Sequence, residues 1–132
     1  MLGGIYKKII SLDQLNKLRR PLTDPPLRSL ETLLESDLWA DLSSRITGVR
    51  PNVQRKVSVM FGADVVESVR NLLGIDYIVR AHQLVMDGVE YFADRHLITV
   101  FSAPRYTGKN NTGATMLIAP DLSHTITYFG PA

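Results

Sequence analysis

Residues 77–101 read YIVRAHQLVMDGVEYFADRHLITVF, and this stretch decides the fold. Its apolar runs are short and rich in β-branched and aromatic residues, which is typical of strands. The run at 97–101 is apolar almost throughout, so it predicts a strand that is buried on both faces of a sheet. Asp87-Gly88 is a strong turn signal, and it predicts a hairpin that joins strands at 84–86 and 89–92.

The strand pattern continues on both sides of this stretch. Residues 77–79 predict a short strand, and residues 114–119 and 125–129 predict a closing hairpin. The first half of the chain shows helical spacing instead. Helices followed by strands indicate the α+β class, and 132 residues suit a single modest domain.

Two helices are predicted in the first third of the chain. Ser11 and Gln14 have the spacing of a capping box, which predicts a helix that runs to about Arg20 and ends before Pro21. Leucines recur at helical spacing through residues 27–38 and predict a second helix with one apolar face.

A third helix is predicted over residues 63–73, where valines and leucines share one face and Gly74 provides the C-terminal stop. Residues 43–56 show no periodicity and contain Gly48 and Pro51. We therefore expect a loop over that segment.

Composition excludes several classes of function. The chain has 15 basic and 13 acidic residues, and a net charge of +2 is too small to favour nucleic acid or a membrane surface. Cysteine is absent, so neither disulfides nor thiolate chemistry are available. No apolar run approaches the roughly 20 residues of a spanning helix, and residues 1–8 lack the order of a signal peptide. We expect an intracellular protein, cytoplasmic and/or nuclear.

Three motifs in fixed order carry a resemblance to a known family. They are Arg80-Ala81-His82-Gln83, the segment from Asp87 to Arg95, and Phe101-Ser102-Ala103-Pro104-Arg105-Tyr106. With them the chain resembles the C-terminal half of the metal-dependent Ser/Thr protein phosphatases, the PPP family, and in particular its protein phosphatase 1 type. The resemblance implies one half of the metallophosphatase αββα sandwich, with residues 1–132 forming a partial catalytic domain.

The resemblance also implies a reaction and a cofactor. The family hydrolyses phosphoserine and phosphothreonine esters with a dinuclear divalent metal centre of Mn, Fe or Zn. In the family the His of Arg-Ala-His-Gln is a metal ligand, so the resemblance assigns that role to His82. From the residues alone, a single His after an apolar strand is more often structural, and one imidazole cannot hold a divalent ion against water.

Arg55 and Tyr106 are the next candidates that the resemblance names. Arg55 matches a phosphate-binding Arg, for which a guanidinium fork is suited, and the alternative is a solvated loop Arg. Lys56 stands where the family has Gly, which is expected to strain a turn that needs positive φ. Tyr106 matches a Tyr at the rim of the active site. Trp39 and Asp41 match a segment beside the substrate groove, with Trp39 expected in the core.

Most of the family's active-site motifs are absent from the sequence. No Gly is followed by Asp and no Asn is followed by His, so the bridging carboxylates, the Asn ligand and the general-acid His have no counterpart. Leu2 stands where the family has another His ligand, and it has no lone pair. We expect that this chain alone neither holds the metal pair nor catalyses the reaction.

The resemblance further implies a partner groove. Regulators of the family add an extended Val/Ile-x-Phe segment at the edge of a sheet and bury two apolar side chains. The alternative is that these are ordinary sheet residues. The matching positions are Tyr77, Tyr91, Arg95, Ile98, Leu122, Ser123, His124 and Ile126.

Three functions stay open at this point. The first is a true phosphatase whose N-terminal half is missing from the sequence, which the start at Met1-Leu2-Gly3-Gly4 within a family motif favours. The second is a non-catalytic decoy or adaptor that binds phosphatase regulators. The third is a decayed duplicate without a stable fold.

Overall fold

A computed structural model describes residues 2–4, 9–17 and 38–130 of the chain. The first helix, α1, comprises Leu12–Asn16. Its N-terminus carries the predicted capping box, in which the Gln14 N–H donates to Ser11 Oγ and the Ser11 N–H donates to Gln14 Oε1. The predicted continuation to Arg20 and most of the predicted helix over 27–38 lie outside the described residues.

A small sheet follows, made of β1 (Asp41–Leu42), β2 (Val49–Pro51) and β3 (Val59–Phe61). The strand order is β1-β3-β2, with β1 parallel and β2 antiparallel to β3. The loop predicted over 43–56 is therefore wrong at β2. The strand is only three residues long and lies at a sheet edge, where a proline is tolerated, so its sequence carries no strand signal.

The helix predicted over 63–73 is confirmed as α2 (Ala63–Leu73). It buries Val65, Val66 and Val69 in a core cluster, and Gly74 ends it in the left-handed conformation at φ 63°. Within the part of the chain that the structure describes, no helix is long and apolar enough to cross a membrane.

A second sheet contains β4 (Ile78–Arg80), β5 (Val89–Phe92) and β6 (Leu97–Val100) in the order β4-β6-β5. The prediction that the 97–101 strand is buried on both faces is confirmed, since every residue of β6 is buried. Leu97 belongs to the cluster under α2, whereas Ile98 and Val100 belong to a second cluster. Successive side chains of β6 thus point to opposite faces of the sheet, and each face packs into a different apolar cluster.

The hairpin predicted around Asp87-Gly88 is wrong. Residues 84–86 form no strand, and β5 pairs antiparallel with β6 through the turn at 93–96. Gly88 has another use, because a Cβ there would meet the Ala114 Cβ at 3.1 Å. The turn itself is present, since the Gly88 N–H donates to Val85 O at 3.3 Å and Gly88 has φ 78°, but it does not join two paired strands.

The predicted closing hairpin is confirmed as β7 (Gly113–Ile118) and β8 (His124–Phe129). Met116 and Ile126 are register partners, and both pack against the second core cluster. With few helices and with mixed and antiparallel sheets among the described residues, the fold is the α+β class that the sequence predicts.

Candidate active site at the junction of two sheets

The site lies where the two three-stranded sheets approach each other. Asp41 opens β1, which is an edge strand of the first sheet. His82 follows β4, an edge strand of the second sheet, by two residues. The two side chains meet, with His82 Nε2 at 3.5 Å from Asp41 Oδ1.

Asp41 is the centre of the site. Its side chain is largely buried, and its two oxygens accept three hydrogen bonds. Arg55 donates from Nε to Oδ2 at 2.6 Å and from Nη2 to Oδ1 at 3.1 Å, which is a bidentate fork. Asn52 donates from Nδ2 to Oδ2 at 2.8 Å. The carboxylate therefore fixes the plane of the guanidinium.

The turn before Arg55 adds a further restraint. Asn52 is buried, and its Oδ1 accepts the Arg55 N–H at 3.2 Å, so one amide holds both the Arg55 backbone and its carboxylate partner. The next residue, Lys56, has φ 58°. The turn thus requires the left-handed conformation at the position where the resemblance expects Gly, as the sequence predicts.

His82 is held with an unpartnered nitrogen. Its φ is 67°, and its Nε2 is buried with no hydrogen-bond partner among the described residues. Burial lowers the pKa of the imidazole, and the charges of Arg55 and Arg80 lower it further, against the opposing effects of Asp41 and of a hydrogen bond to the Trp39 backbone. A neutral imidazole with a free nitrogen is the form that binds metals.

Trp39 covers one side of the site. Its ring meets the His82 ring edge-on at 5.5 Å, and the Arg55 guanidinium lies 5.9 Å from its centroid. It is 44% exposed, so the expectation that Trp39 belongs to the core is wrong. The ring packs on the polar site, and both apolar clusters are built without it.

The donor set fits a metal only in part. His82 Nε2 is a suitable ligand for a borderline divalent ion. Asp41, however, is committed to Arg55 and Asn52, and the described residues contain no group of three or more His, Cys, Asp or Glu that could hold a metal ion. The described residues therefore offer one candidate ligand and no cluster of donors around it.

Tyr106 lies on a separate loop, Ser102 to Asn110, whose residues are all exposed to solvent at least in part. Its ring contacts Phe101 edge-on at 5.2 Å. The buried side chain of Asn111 supports the loop, because its Oδ1 accepts the Tyr106 N–H at 2.8 Å and its Nδ2 donates to Ala103 O at 2.8 Å. The structure thus unites His82 with Arg55, and it places Tyr106 on a separate loop that Asn111 supports.

The predicted groove residues surround the second core cluster. Ile98 is only 2% exposed and forms part of that cluster, while Tyr77, Tyr91 and Ile126 pack against it. Leu122 is exposed, and its carbonyl accepts a hydrogen bond from the Tyr77 hydroxyl at 3.3 Å.

The other three groove positions are polar and exposed, and two of them contact Tyr91. The Tyr91 hydroxyl lies 3.4 Å from His124 Nε2, and the Arg95 guanidinium stacks over the Tyr91 ring at 4.0 Å. The Ser123 side chain bonds to Asp121 in the turn before β8.

Comparison with known proteins places this site in a family. The family described as calcineurin-like phosphoesterase matches residues 1–86. The chain belongs to this family. The matched range contains Asp41, Arg55 and His82 of the site described above.

Curated relatives extend the match over the whole chain. Serine/threonine-protein phosphatase PP1-delta from Caenorhabditis elegans is 42% identical over 132 residues, which cover 99% of this chain and 42% of that protein. Serine/threonine-protein phosphatase BSL2 from Arabidopsis thaliana is 40% identical over 92% of this chain and 12% of its own length. The chain thus spans less than half the length of these relatives, and its resemblance to PPP phosphatases is confirmed.

Solved structures agree with this assignment. A serine/threonine phosphatase from Saccharomyces cerevisiae, with similarity to human phosphatase PP5, superposes with a TM-score of 0.80 at 29% identity. The superposition covers all of this chain and 44% of the yeast chain.

Sequence reasoning missed the two residues that organise the site. Asp41 is noted only beside a substrate groove, and Asn52 is not noted at all. The available signal for Asn52 is its position three residues before Arg55, a spacing at which an Asn side chain readily bonds the backbone of a turn.

Proposed function

We propose that residues 1–132 form a partial catalytic domain of a protein Ser/Thr phosphatase, whose family reaction is two-metal hydrolysis of phosphoserine and phosphothreonine. One observation carries the proposal. A guanidinium fixed by a buried carboxylate lies in the same cluster as an imidazole nitrogen that has no hydrogen-bond partner among the described residues.

Arg55 is proposed to bind the phosphoryl group. Asp41 holds two of its three guanidinium nitrogens, and the side chain stays 30% exposed, so the remaining nitrogen can meet a phosphoryl oxygen. Because its rotamer is already fixed, little conformational entropy is lost when the phosphoryl group binds. Tyr106, on its Asn111-supported loop, is proposed to line the rim of the same site.

His82 is proposed to be the single metal ligand that this chain contributes. A dinuclear centre of Mn, Fe or Zn would supply the activated water and the charge stabilisation of the reaction. Burial lowers the pKa of the imidazole and so favours the neutral form, which is the form that binds metals. The other donors of such a centre have no counterpart in the cluster, so the chain alone is proposed to be inactive.

The direct test is hydrolysis of a phosphoserine peptide by the purified chain with added Mn²⁺. We expect no turnover above background. Turnover that copurifies with the chain and disappears in His82→Ala would contradict the proposed inactivity. Leu2→His alone should not restore activity, because one added imidazole does not replace the carboxylates.

A chimera tests the assigned roles. The chain replaces its counterpart in the Caenorhabditis elegans relative, so that the relative supplies the remaining part of the domain. With Leu2→His included, we expect hydrolysis that His82→Ala and Arg55→Ala each reduce by about 100-fold or more, as loss of a ligand or of one transition-state donor does. Arg50→Ala, at an exposed position of β2, is the matched control. Equal loss from all three variants would contradict the roles.

A second candidate function is a non-catalytic decoy for Val/Ile-x-Phe regulators. The observation that favours it is the six-residue edge strand β8, which pairs only with β7 among the described strands. An extended peptide could add to this edge beside Leu122, Tyr77 and Tyr91. Binding should be weak, should fall in Leu122→Ala and should not change in His82→Ala. No binding at millimolar peptide would remove this candidate.

The remaining assignments follow from the family. Phosphoproteins are the proposed substrates of the complete domain, and neither nucleic acid nor a membrane is a proposed partner, given the net charge of +2. An intracellular location, cytoplasmic and/or nuclear, is part of the same proposal.

A further inference from the structure

The two halves of the site come from different sheets that share no strand pairing. Asp41 belongs to β1, which pairs with β3, and His82 follows β4, which pairs with β6. The 3.5 Å approach of the two side chains therefore depends on whatever joins the edge of one sheet to the edge of the other. The apolar cluster under α2 already packs Phe61 of β3 against residues of β4 and β6, and the side chains of Arg80 and Gln83 add hydrogen bonds between the two edges.

Gln83 makes one part of this hydrogen-bonded connection. Its Oε1 accepts the Leu42 N–H at 2.7 Å, and its Nε2 donates to the Leu42 carbonyl at 3.2 Å. The main-chain N–H and C=O groups of Leu42 point away from β3, because it is the neighbouring Ser43 whose N–H bonds to Phe61 O. The Gln83 amide thus occupies the place of a neighbouring strand and satisfies both main-chain groups of one residue.

Arg80 makes the other part. It is fully buried, its Nη2 donates to Ala40 O at 3.0 Å, and its Nε donates to Gly3 O. Burial lowers its pKa to about 10, an effect that the nearby Asp41 charge opposes. Ala40 precedes Asp41, so Arg80 and Gln83 bond to the main chain on either side of the central carboxylate.

We infer that Arg80 and Gln83 are positioning residues that fix Asp41 against His82 and, through Asp41, set the orientation of Arg55. We call this pair the Arg80–Gln83 clamp. Neither residue contacts the phosphoryl group in this account. The inference rests on the proposed function in one respect, that Arg55 binds a phosphoryl group. The orientation of Arg55 itself can be measured without substrate or metal.

Gln83 is the better member to test because its side-chain amide supplies both the acceptor and the donor that bond to Leu42. Leu retains much of the volume and loses both bonds. Glu keeps an acceptor for the Leu42 N–H and places a carboxylate against the Leu42 carbonyl, so it should have an intermediate effect. Gln14 offers a matched control, because its side chain also bonds to main-chain groups, in the α1 capping box.

The experiment follows the Arg55 Nε–Hε proton by NMR in the unmodified full chain without metal or phosphate. This proton donates to Asp41 at 2.6 Å and should exchange slowly with water. Its signal is assigned by its loss in Arg55→Lys. In Gln83→Leu, exchange should accelerate about tenfold, which corresponds to about 1.4 kcal/mol. In Gln14→Leu the exchange rate should stay unchanged. In the double variant Gln83→Leu/Asp41→Asn, the proton should exchange no faster than it does in Asp41→Asn alone.

Two results would overturn the clamp. One is an unchanged Arg55 exchange rate in folded Gln83→Leu, and the other is the same acceleration in Gln14→Leu, which would report general loosening. If Gln83→Leu does not fold, the unmodified chain decides by a nuclear Overhauser effect between the Gln83 side-chain amide and the Leu42 amide. Its presence supports the clamp, and its absence overturns it. Failure of phosphate binding or of the chimera leaves all these readouts intact.

Discussion

The sheet junction and the β7–β8 hairpin achieve order by opposite means. At the junction, polar side chains are buried and bonded to one another and to the main chain. The hairpin has a regular main-chain ladder, yet Leu117 is 74% exposed and Tyr128 is largely exposed as well. One region is ordered by buried polar contacts, with His82 Nε2 left without a hydrogen-bond partner among the described residues, whereas the other presents apolar surface of the kind that partners cover.

This difference indicates where substitutions act. A buried polar network loses several bonds at once when one member is removed, since each remaining member is left unsatisfied. An exposed hairpin tolerates substitution on its outer face, and its inner face behaves as core. Substitutions at the junction should therefore destabilise the chain. Along β7, their effect on stability should alternate between inward-facing and outward-facing residues.

The largest expected effect is at Asp41. Asp41→Ala leaves Arg55 and Asn52 without their acceptor and removes the anion beside buried Arg80. We expect a loss of about 3 kcal/mol in the free energy of unfolding, the lower end for a broken buried pair because Arg55 is partly exposed. Urea denaturation measures it. Asp121→Ala, in the exposed turn before β8, is the control and should shift the midpoint far less.

The second prediction uses two neighbours in β7. Met116 packs on the second core cluster and Leu117 points to solvent. Met116→Ala should cost about 2 kcal/mol, while Leu117→Ala should change stability by less than about 0.5 kcal/mol. We also expect the exposed apolar face of the hairpin to promote self-association, which Leu117→Glu should reduce in sedimentation measurements. Equal destabilisation at both positions would refute the inner and outer faces assigned to the strand.

The third prediction concerns the Tyr106 loop. Asn111→Ala removes the bonds to the Tyr106 N–H and to the carbonyls of Ala103 and Thr112. We expect a loss of about 1.5 kcal/mol and faster amide exchange at Tyr106. Asn110→Ala, exposed and adjacent, should change neither. Unchanged exchange in Asn111→Ala would mean that the loop is ordered by other contacts.

The smallest effect is a pH dependence that arises at His82. Its pKa is lowered in the folded state from the ordinary value of 6.5, so the unfolded chain takes up a proton more readily. Stability from this source is complete above pH 6.5 and decreases as the pH falls toward the folded-state pKa. Urea midpoints at several pH values should show this decrease, and His82→Gln should reduce it. An identical pH profile in the variant would exclude His82 as the origin.

Local pattern was sufficient for the elements that are long or periodic. α2 is predicted from its one-sided valines, and β6 from a run that is apolar on both faces. β1, β2 and β3 escape prediction because strands of two or three residues are too short to show a period, and here no turn signal or apolar run marks them as a set that pairs. The Asp87-Gly88 signal correctly marks a turn with Gly88 at φ 78°, but it misleads about a hairpin because residues 84–86 form no strand.

In the site, too, local sequence patterns predict some features, while others depend on contacts between distant parts of the chain. His82 and Arg55 are predictable because they lie in recognisable motifs. Their connection through Asp41 is not, since Asp41 is 14 positions from Arg55 and meets His82 only after two sheets come together. Nor does any sequence pattern show that Gln83 bonds to both main-chain groups of Leu42, 41 positions away.

The most direct test of the central claim is a titration of the full chain with inorganic phosphate in the presence of a chelator. The claim is that Asp41 preorganises Arg55 for a phosphoryl group at the junction. Arg55→Lys keeps the charge and loses the fork, so it should weaken phosphate binding about tenfold, or about 1.4 kcal/mol. Arg50→Lys, at an exposed Arg of the same small sheet, should leave it unchanged. Equal affinities in all three proteins, or equal weakening by both variants, would contradict the account.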